Sequence, residues 1–444
     1  MELNNKNISV IGMGRTGIAT ANFLAQRGAR VTLMDQKSGD AFKDTLGLLN
    51  PAVRIRFESS EPTSDAELVI LSPGMDINSP LLRAARDRGA EIISEIELAY
   101  RFASAPIIAI TGTNGKSTVT TLTGEILANA GKKVLVGGNL GTPFIELVNE
   151  GSADFLVLEI SSFQLEGTRT FHPAIAMVLN ITPDHMDRHQ TLAEYARLKG
   201  KIAVNQTAED HLILNLNDPE TLRLREGCPA KTALFSSSTE VAEGSFIRDG
   251  VLTVRLNGEE QQVCRVDELS LSMQWQVENI LAALLAVSLA GVSPALAADT
   301  LKNFSGLPHR MEWVRSVQGI DFVNDSKGTN VGSVQKSLST FDRPVILIAG
   351  GSDKGSDFSP LCRILKERVK HLVLIGETKN KFRQILNGSF SYEDAGTLED
   401  AVKKAYEKAV PGDVVLLSPA CASFDMFKNY ADRGTQFRAI VNRI

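Results

Sequence analysis

The chain has 444 residues, 43% of them hydrophobic and 22% charged, with a formal net charge of -5. At roughly 150 residues per domain this is enough for about three domains, each with its own core. The balance excludes a disordered chain or a coiled coil, and the mild negative charge excludes the basic footprint of a nucleic-acid binder.

Cys228, Cys264, Cys362 and Cys421 are scattered and form no C-x-x-C pair. That argues against a zinc knuckle or a redox dithiol and suits a reducing compartment. Residues Met1–Asn5 lack a basic segment leading into an apolar one, so no signal peptide is read there. The longest apolar stretch, Ile280–Val292, is too short to span a bilayer and reads as a buried helix. A soluble, cytoplasmic protein is expected.

Short β-branched runs alternate with helical stretches, which predicts α/β units with mainly parallel sheets. The first strand is predicted at Asn7–Ile11, followed by the turn Gly12-Met13-Gly14-Arg15-Thr16-Gly17 and a helix from about Thr16 to Arg27. A second strand, Arg30–Met34, ends at Asp35. G-x-G-x-x-G between strand and helix, with an acid about 20 residues on, marks a nucleotide-diphosphate site at a helix N-terminus. It does not choose between a nicotinamide dinucleotide and another diphosphate, so a nicotinamide-dependent oxidoreductase stands as an alternative. Leu68–Leu71 is a further strand, ending in Ser72-Pro73-Gly74. Glu91–Phe102 is of mixed character, and Ser104-Ala105-Pro106 marks a boundary.

The next block opens with the strand Ile107–Ile110 and the loop Thr111-Gly112-Thr113-Asn114-Gly115-Lys116-Ser117-Thr118. Backbone N–H groups of such a loop converge on phosphate oxygens at a helix start, Lys116 adds a full charge, and Ser117 or Thr118 can ligate Mg²⁺. Ile110 stands where the longer G-x-x-x-x-G-K-[ST] pattern has its first glycine, so this is the shorter form. The strand Phe155–Leu158 ends at Glu159, placed to hold a metal beside a phosphate loop. After the strand Ile175–Leu179 comes Asn180-Ile181-Thr182-Pro183-Asp184-His185-Met186-Asp187-Arg188-His189, a strand-end loop of a kind that handles Mg²⁺ or substrate. Lys199 reads as an ordinary helix-surface lysine. Strands at Leu212–Leu216 and Val251–Leu256, a helix at Asn279–Leu289 and a linker at Phe304–Pro308 complete the block. The last block has apolar strands at Asp321–Asn324, Val345–Ala349, Leu372–Ile375 and Val414–Leu417, each followed by polar or glycine-rich residues. Ligands in open α/β sheets bind beyond such carboxyl ends.

Together these pieces resemble the Mur ligase family over essentially the whole chain. Thr111–Thr118 resembles the family's ATP loop. Gly138-Asn139-Leu140-Gly141, Glu159-Ile160-Ser161-Ser162-Phe163-Gln164-Leu165, Asn180-x-x-x-Asp184-His185-Met186-Asp187 and Pro308-His309-Arg310-Met311-Glu312 match as well. The resemblance implies an α/β chain of three domains: a Rossmann-like UDP-binding domain over 1–105, a central P-loop ATPase-like domain over 106–306, and a Rossmann-like amino-acid-binding domain over 307–444. Asn324–Asn330, Gly350–Gly355 and Leu417–Asp425 look like the member that joins D-glutamate to UDP-N-acetylmuramoyl-L-alanine in peptidoglycan synthesis, with another Mur-type amide ligase that takes a different amino acid as the alternative. ATP would activate the carboxylate as an acyl phosphate, and the protein would act as a monomer.

The resemblance also implies roles. Arg15, Thr16, Asp35, Gln36, Ser72 and Gly74 would line the UDP site, and Asn139, Ser161 and Gln164 would face the muramoyl-alanine part. Gly112, Thr113, Asn114, Gly115, Lys116, Ser117 and Thr118 would hold the ATP phosphates, with Asn279, Arg310 and Asp325 on the nucleotide. Ser117 and Glu159 would sit at a first Mg²⁺. His185 and Lys199 would serve a second, Lys199 as a carbamate, which turns a cation into an oxygen ligand suited to a hard metal. Lys327, Thr329, Lys354, Ser423, Phe424 and Tyr430 would receive D-glutamate or the transferred phosphate. The catalytic group would then be Lys116, His185, Lys199, Arg310 and Lys327. Departures from the family pattern are Gln276 in Trp275-Gln276-Val277-Glu278-Asn279, Gly328 in place of Ala, Arg15 in place of an apolar residue, and His189 in place of Tyr.

Overall fold

In the computed structural model, which describes residues 1–353, 355–386 and 390–444, the β-branched runs pair into three sheets. The first contains β1 (Asn7–Ile11), β2 (Arg30–Met34), β3 (Arg54–Arg56), β4 (Leu68–Leu71) and β5 (Glu91–Ser94), all parallel, in the order β3-β2-β1-β4-β5. The strand order reverses between β1 and β4, so the glycine-rich turn after β1, Asp35 after β2 and Ser72 after β4 gather where such sheets bind ligands. Gly17 is needed there for close approach: a Cβ on it would lie 1.8 Å from the Gly12 carbonyl oxygen.

The second sheet contains β6 (Ile107–Thr111), β7 (Val134–Gly138), β8 (Phe155–Glu159), β9 (Ile175–Val178), β10 (His211–Asn215), β11 (Lys231–Ser236), β12 (Gly244–Arg248), β13 (Val251–Leu256) and β14 (Glu259–Arg265). Its order is β14-β13-β12-β11-β10-β9-β6-β8-β7, and it is parallel from β7 through β12. The third contains β15 (Glu312–Val317), β16 (Ile320–Asn324), β17 (Val345–Gly350), β18 (Val369–Ile375), β19 (Tyr392–Asp394) and β20 (Val414–Leu417), in the order β15-β16-β20-β17-β18-β19. Among the described residues its β15–β16 edge pair is antiparallel and its other strand pairs are parallel. The mainly parallel α/β architecture expected from the sequence is present.

Strands buried on both faces explain the continuous apolar runs. Val345, Leu347 and Ala349 of β17 enter one core layer, while Ile346 and Ile348 enter the layer on the opposite face. The predicted buried helix is observed as Val277–Leu289, with every residue from Ile280 to Val287 buried. Among the described residues no helix is long and apolar enough to cross a membrane.

The chain divides into two compact units. One comprises Met1–Ile181, Gln190–Cys264 and Glu278–Leu301; the other comprises Thr182–His189, Arg265–Val277 and Lys302–Ile444. Within the first unit, two carboxylates of the helix Glu95–Tyr100 join the first sheet to the second. Glu97 Oε2 accepts hydrogen bonds from the backbone N–H groups of Arg169 (2.8 Å), Thr170 (3.0 Å) and Phe171 (3.1 Å). Its Oε1 takes the Thr170 hydroxyl at 2.6 Å and Arg101 Nε at 3.0 Å. Burial works to raise the Glu97 pKa, but these donors together outweigh it and the carboxyl is held below its ordinary value.

Glu95 is the opposite case. Its Oε1 accepts from the Ile145 N–H at 2.7 Å, and burial pushes its pKa up to about 7. Between the ordinary carboxylate value and about 7 the folded chain keeps a proton that the unfolded chain has released, so this group's contribution to stability falls as pH rises through that window. Glu95→Gln keeps an acceptor for Ile145 and removes the buried charge. The variant is expected to be more stable than the parent at pH 8, by on the order of 2 kcal/mol, with the difference vanishing near pH 4. Denaturation midpoints across pH decide it; parallel curves for the two proteins would overturn it.

Candidate active site

The phosphate loop spans the end of β6 and the start of the helix Lys116–Asn129, whose N-cap is Gly115. Gly115 has φ +86°, and a Cβ on it would lie 2.4 Å from Asn279 Oδ1. The glycine therefore permits both the left-handed turn and the close approach of Asn279. The loop is braced from β9: Asn180 Oδ1 accepts from the Asn114 N–H (2.8 Å), Asn180 Nδ2 donates to the Asn114 carbonyl (3.1 Å), and the Thr113 N–H donates to the Asn180 carbonyl (2.9 Å). Lys116 Nζ donates to the carbonyls of Gly112 and Thr113, both at 2.8 Å, which holds its charge over the loop.

The buried Ser117 hydroxyl donates to Glu159 Oε2 at 2.6 Å, and Asn139 Nδ2 donates to Glu159 Oε1 at 2.7 Å. Three residues singled out separately in the sequence thus meet at one carboxylate. A hydroxyl and a carboxylate this close form the start of a hard-oxygen shell, which suits Mg²⁺. Among the described residues no group of three or more His, Cys, Asp or Glu side chains gathers. Lys199 is no surface lysine. It is 1% exposed, its Nζ donates to the Gly112 carbonyl at 2.8 Å, and it lies 4.3 Å from the centre of the Tyr195 ring.

At the first sheet, Asp35 Oδ2 accepts from the Met13 N–H and Oδ1 from the Lys37 N–H, both at 2.9 Å. The carboxylate thus ties the glycine-rich turn to the end of β2. Ser72 Oγ donates to the Gly12 carbonyl at 3.4 Å. Thr16 is half-buried, whereas Gln36 and Gly74 are exposed. Arg15 turns outward to the Gly141 carbonyl (3.0 Å) and Glu146 (3.2 Å). Ser161 and Gln164 form a capping box on the helix Ser162–Glu166: Ser161 Oγ receives the Gln164 N–H, and Gln164 Oε1 receives the Ser161 N–H at 2.9 Å.

In the second unit, Asp325 follows β16 and is buried. Its Oδ2 accepts the hydroxyls of Ser418 (2.7 Å) and Ser337 (2.8 Å). Burial raises its pKa to about 6, with those hydroxyls and the Met311 N–H opposing the rise. Lys327 Nζ sits 4.0 Å from the centre of the Tyr430 ring, a cation–π contact. The Thr329 N–H donates to the Lys327 carbonyl. Ser423 is buried and Phe424 is 72% exposed. Arg310 is half-buried, and its carbonyl accepts Gln276 Nε2 at 3.0 Å. Gln276 therefore secures backbone here. His185 has φ +55°, and its Nε2 is 3.8 Å from Asp184 Oδ2, which also accepts from Asn330 Nδ2 at 2.9 Å. Lys354 lies outside the described residues.

A parallel α/β chain with a short glycine-lysine loop, a carboxylate bonded to the loop's serine and a glycine-rich turn on a separate sheet is a nucleotide-handling protein of the phosphate-loop class. Three family descriptions match it in series: "Mur ligase MurD-like, N-terminal domain" over residues 6–94, "Mur ligase middle domain" over 110–287, and "Mur ligase, glutamate ligase domain" over 309–421. The chain belongs to the Mur ligase family, and the nicotinamide alternative gives way. It is 48% identical to a UDP-N-acetylmuramoylalanine–D-glutamate ligase of Geotalea uraniireducens (strain Rf4), across 100% of this chain and 99% of that protein. It is 42% identical to a protein of the same name from Thermoanaerobacter sp. (strain X514), across 99% of each. Among solved structures, a pseudomurein peptide ligase type C from Methanothermus fervidus shares the fold with a TM-score of 0.63 at 18% identity, covering 99% of this chain and 100% of that one.

Sequence reasoning missed three structural supports of the site: Asn180 as the clamp of the phosphate loop, and Glu95 and Glu97 at the junction of the first two sheets. Asn180 stood in view as the first residue after a strand beside that loop. The two glutamates carried no local signal.

Proposed function

We propose that this chain joins D-glutamate to UDP-N-acetylmuramoyl-L-alanine, cleaving ATP to ADP and phosphate, as a step in peptidoglycan precursor synthesis in the cytoplasm. The observation that carries the reading is full-length identity of 48% to a ligase of that name, in a chain whose phosphate loop, serine and glutamate are already hydrogen-bonded into one group.

A carboxylate is a poor electrophile, and bringing it to a phosphate chain sets like charges against each other. The loop amides and Lys116 offset that repulsion by placing fixed positive charge where negative charge develops. Ser117 and Glu159 would hold Mg²⁺, which when bound would supply positive charge to the phosphate oxygens. Phosphoryl transfer to the alanine carboxylate gives an acyl phosphate. The deprotonated amine of D-glutamate then attacks its carbonyl carbon, and phosphate leaves. His185 would hold metal or, with its ring nitrogen free of metal, receive the amine proton. Lys199, as a carbamate, would add an oxygen ligand.

Other roles divide by position. Arg15, Thr16, Asp35, Gln36, Ser72 and Gly74 would bind UDP; Asn139, Ser161 and Gln164 the sugar-linked alanine; Asn279, Arg310 and Asp325 the nucleotide of ATP. Lys327, Thr329, Lys354, Ser423, Phe424 and Tyr430 would receive D-glutamate or the transferred phosphate, Lys327 as a catalytic residue. Phosphate release from ATP, measured with UDP-N-acetylmuramoyl-L-alanine and in turn D-glutamate, L-glutamate, L-alanine and a diamino acid, should respond to D-glutamate alone. An equal response to another amino acid would overturn the assignment.

A further inference from the structure

Arg433, on the helix Tyr430–Val441, is 0% exposed. Its Nε donates to Ser326 Oγ at 2.9 Å. One terminal nitrogen donates to the carbonyls of Ser326 (2.9 Å) and Cys421 (3.2 Å), and the other to the Ala422 carbonyl at 3.3 Å. All of these acceptors are neutral oxygens. Burial pushes the pKa of Arg433 down to about 10, against the pull of Cys421, Asp425 and Asp325, so the group remains a cation at neutral pH.

A buried cation is costly unless it is fully hydrogen-bonded. Here the bonding reaches two loops that are far apart in sequence. Ser326 directly precedes Lys327, and Cys421-Ala422 directly precede Ser423 and Phe424. Tyr430 begins the same helix, and its carbonyl accepts the Ser326 hydroxyl at 2.8 Å. One planar fork therefore touches the neighbours of Lys327, Ser423 and Phe424 and shares a helix with Tyr430.

We propose that Arg433 is a positioning residue for the incoming amino acid, holding the Ser326–Thr329 and Cys421–Phe424 loops at the separation that D-glutamate requires. The proposal rests on the reading of those loops as the D-glutamate site. A guanidinium suits the task because its donors leave in several fixed directions in one plane, whereas a lysine ammonium cannot reproduce that spread.

The test compares the full-length parent with Arg433→Lys and Arg433→Met. Arg433→Met should raise KM for D-glutamate by at least about tenfold, with KM for ATP and for the UDP-linked substrate changed by less than about twofold. Arg433→Lys should recover part of the loss. In the same variants, backbone hydrogen exchange of residues 327–329 and 422–424 should quicken in Arg433→Met, while that of β17 stays slow. An unchanged KM for D-glutamate, or equal rises in all three KM values, would overturn the positioning role. Unchanged exchange at both loops would overturn the brace even if the parent proved not to use D-glutamate, which is the result that would sink the functional reading itself.

Discussion

Lys116→Met is expected to lower the rate of ATP-dependent ligation by about 10²–10³-fold, the usual loss when one preorganised charge-stabilising donor is removed. Methionine keeps much of the length and apolar stem of lysine and removes the ammonium. The lost contacts in the free protein include the hydrogen bonds to the carbonyls of Gly112 and Thr113. Those carbonyls lie on a loop still clamped by Asn180 and capped at Gly115, so the loop should persist. The expected signature is a collapse of turnover with a melting temperature close to that of the parent. Phosphate release and thermal unfolding measured on the same preparation separate the two. Activity within tenfold of the parent would remove Lys116 from the catalytic group.

Glu97→Ala should have the largest effect on folding. The carboxylate accepts three backbone N–H groups and one hydroxyl from Arg169–Phe171, which lead into the second sheet, and one guanidinium nitrogen from Arg101 at the end of its own helix. Alanine leaves those donors unsatisfied in a buried place and deprives Arg101 of one of its two carboxylates, the other being Glu91. Breaking one side of a buried, hydrogen-bonded charge costs about 3–5 kcal/mol. Because the folded pKa of Glu97 is lowered, its stabilisation is present above the ordinary carboxylate pKa and is lost as pH falls through the folded value. Urea midpoints for parent and Glu97→Ala should therefore be far apart at pH 7.5 and draw together under acid. A shift at neutral pH below about 1 kcal/mol, the range of an exposed ion pair, would contradict the role assigned to the carboxylate.

The legible parts of this molecule were those where local pattern dictates local structure. β2, β4, β13 and β20 begin and end where the apolar runs do. The glycine-rich turn and the phosphate loop each stand between a strand and a helix because their glycines and spacing serve that turn. What stayed hidden depends on burial, which sequence spacing does not encode for charged residues. Lys199 reads as a surface lysine because most lysines are, yet its ammonium reaches the Gly112 carbonyl from a distant helix. Glu95 and Glu97 lie in a stretch of mixed character, and their partners at Ile145 and Arg169–Phe171 are 50 or more residues away. Arg433 sits among Asp432, Gly434 and Thr435, which suggest an exposed helix face; only the loops folded over it withdraw it from water. Ser161 and Gln164 show the converse. The resemblance implies that they face substrate, and what the structure shows is that they cap a helix.

The most direct test follows an oxygen atom. UDP-N-acetylmuramoyl-L-alanine labelled with oxygen-18 in both positions of the alanine carboxylate would be converted with ATP and D-glutamate, and the released phosphate analysed by mass. Activation through an acyl phosphate predicts that each phosphate carries one labelled oxygen, the other remaining in the new amide. Unlabelled phosphate, released in step with amide formation, would contradict it.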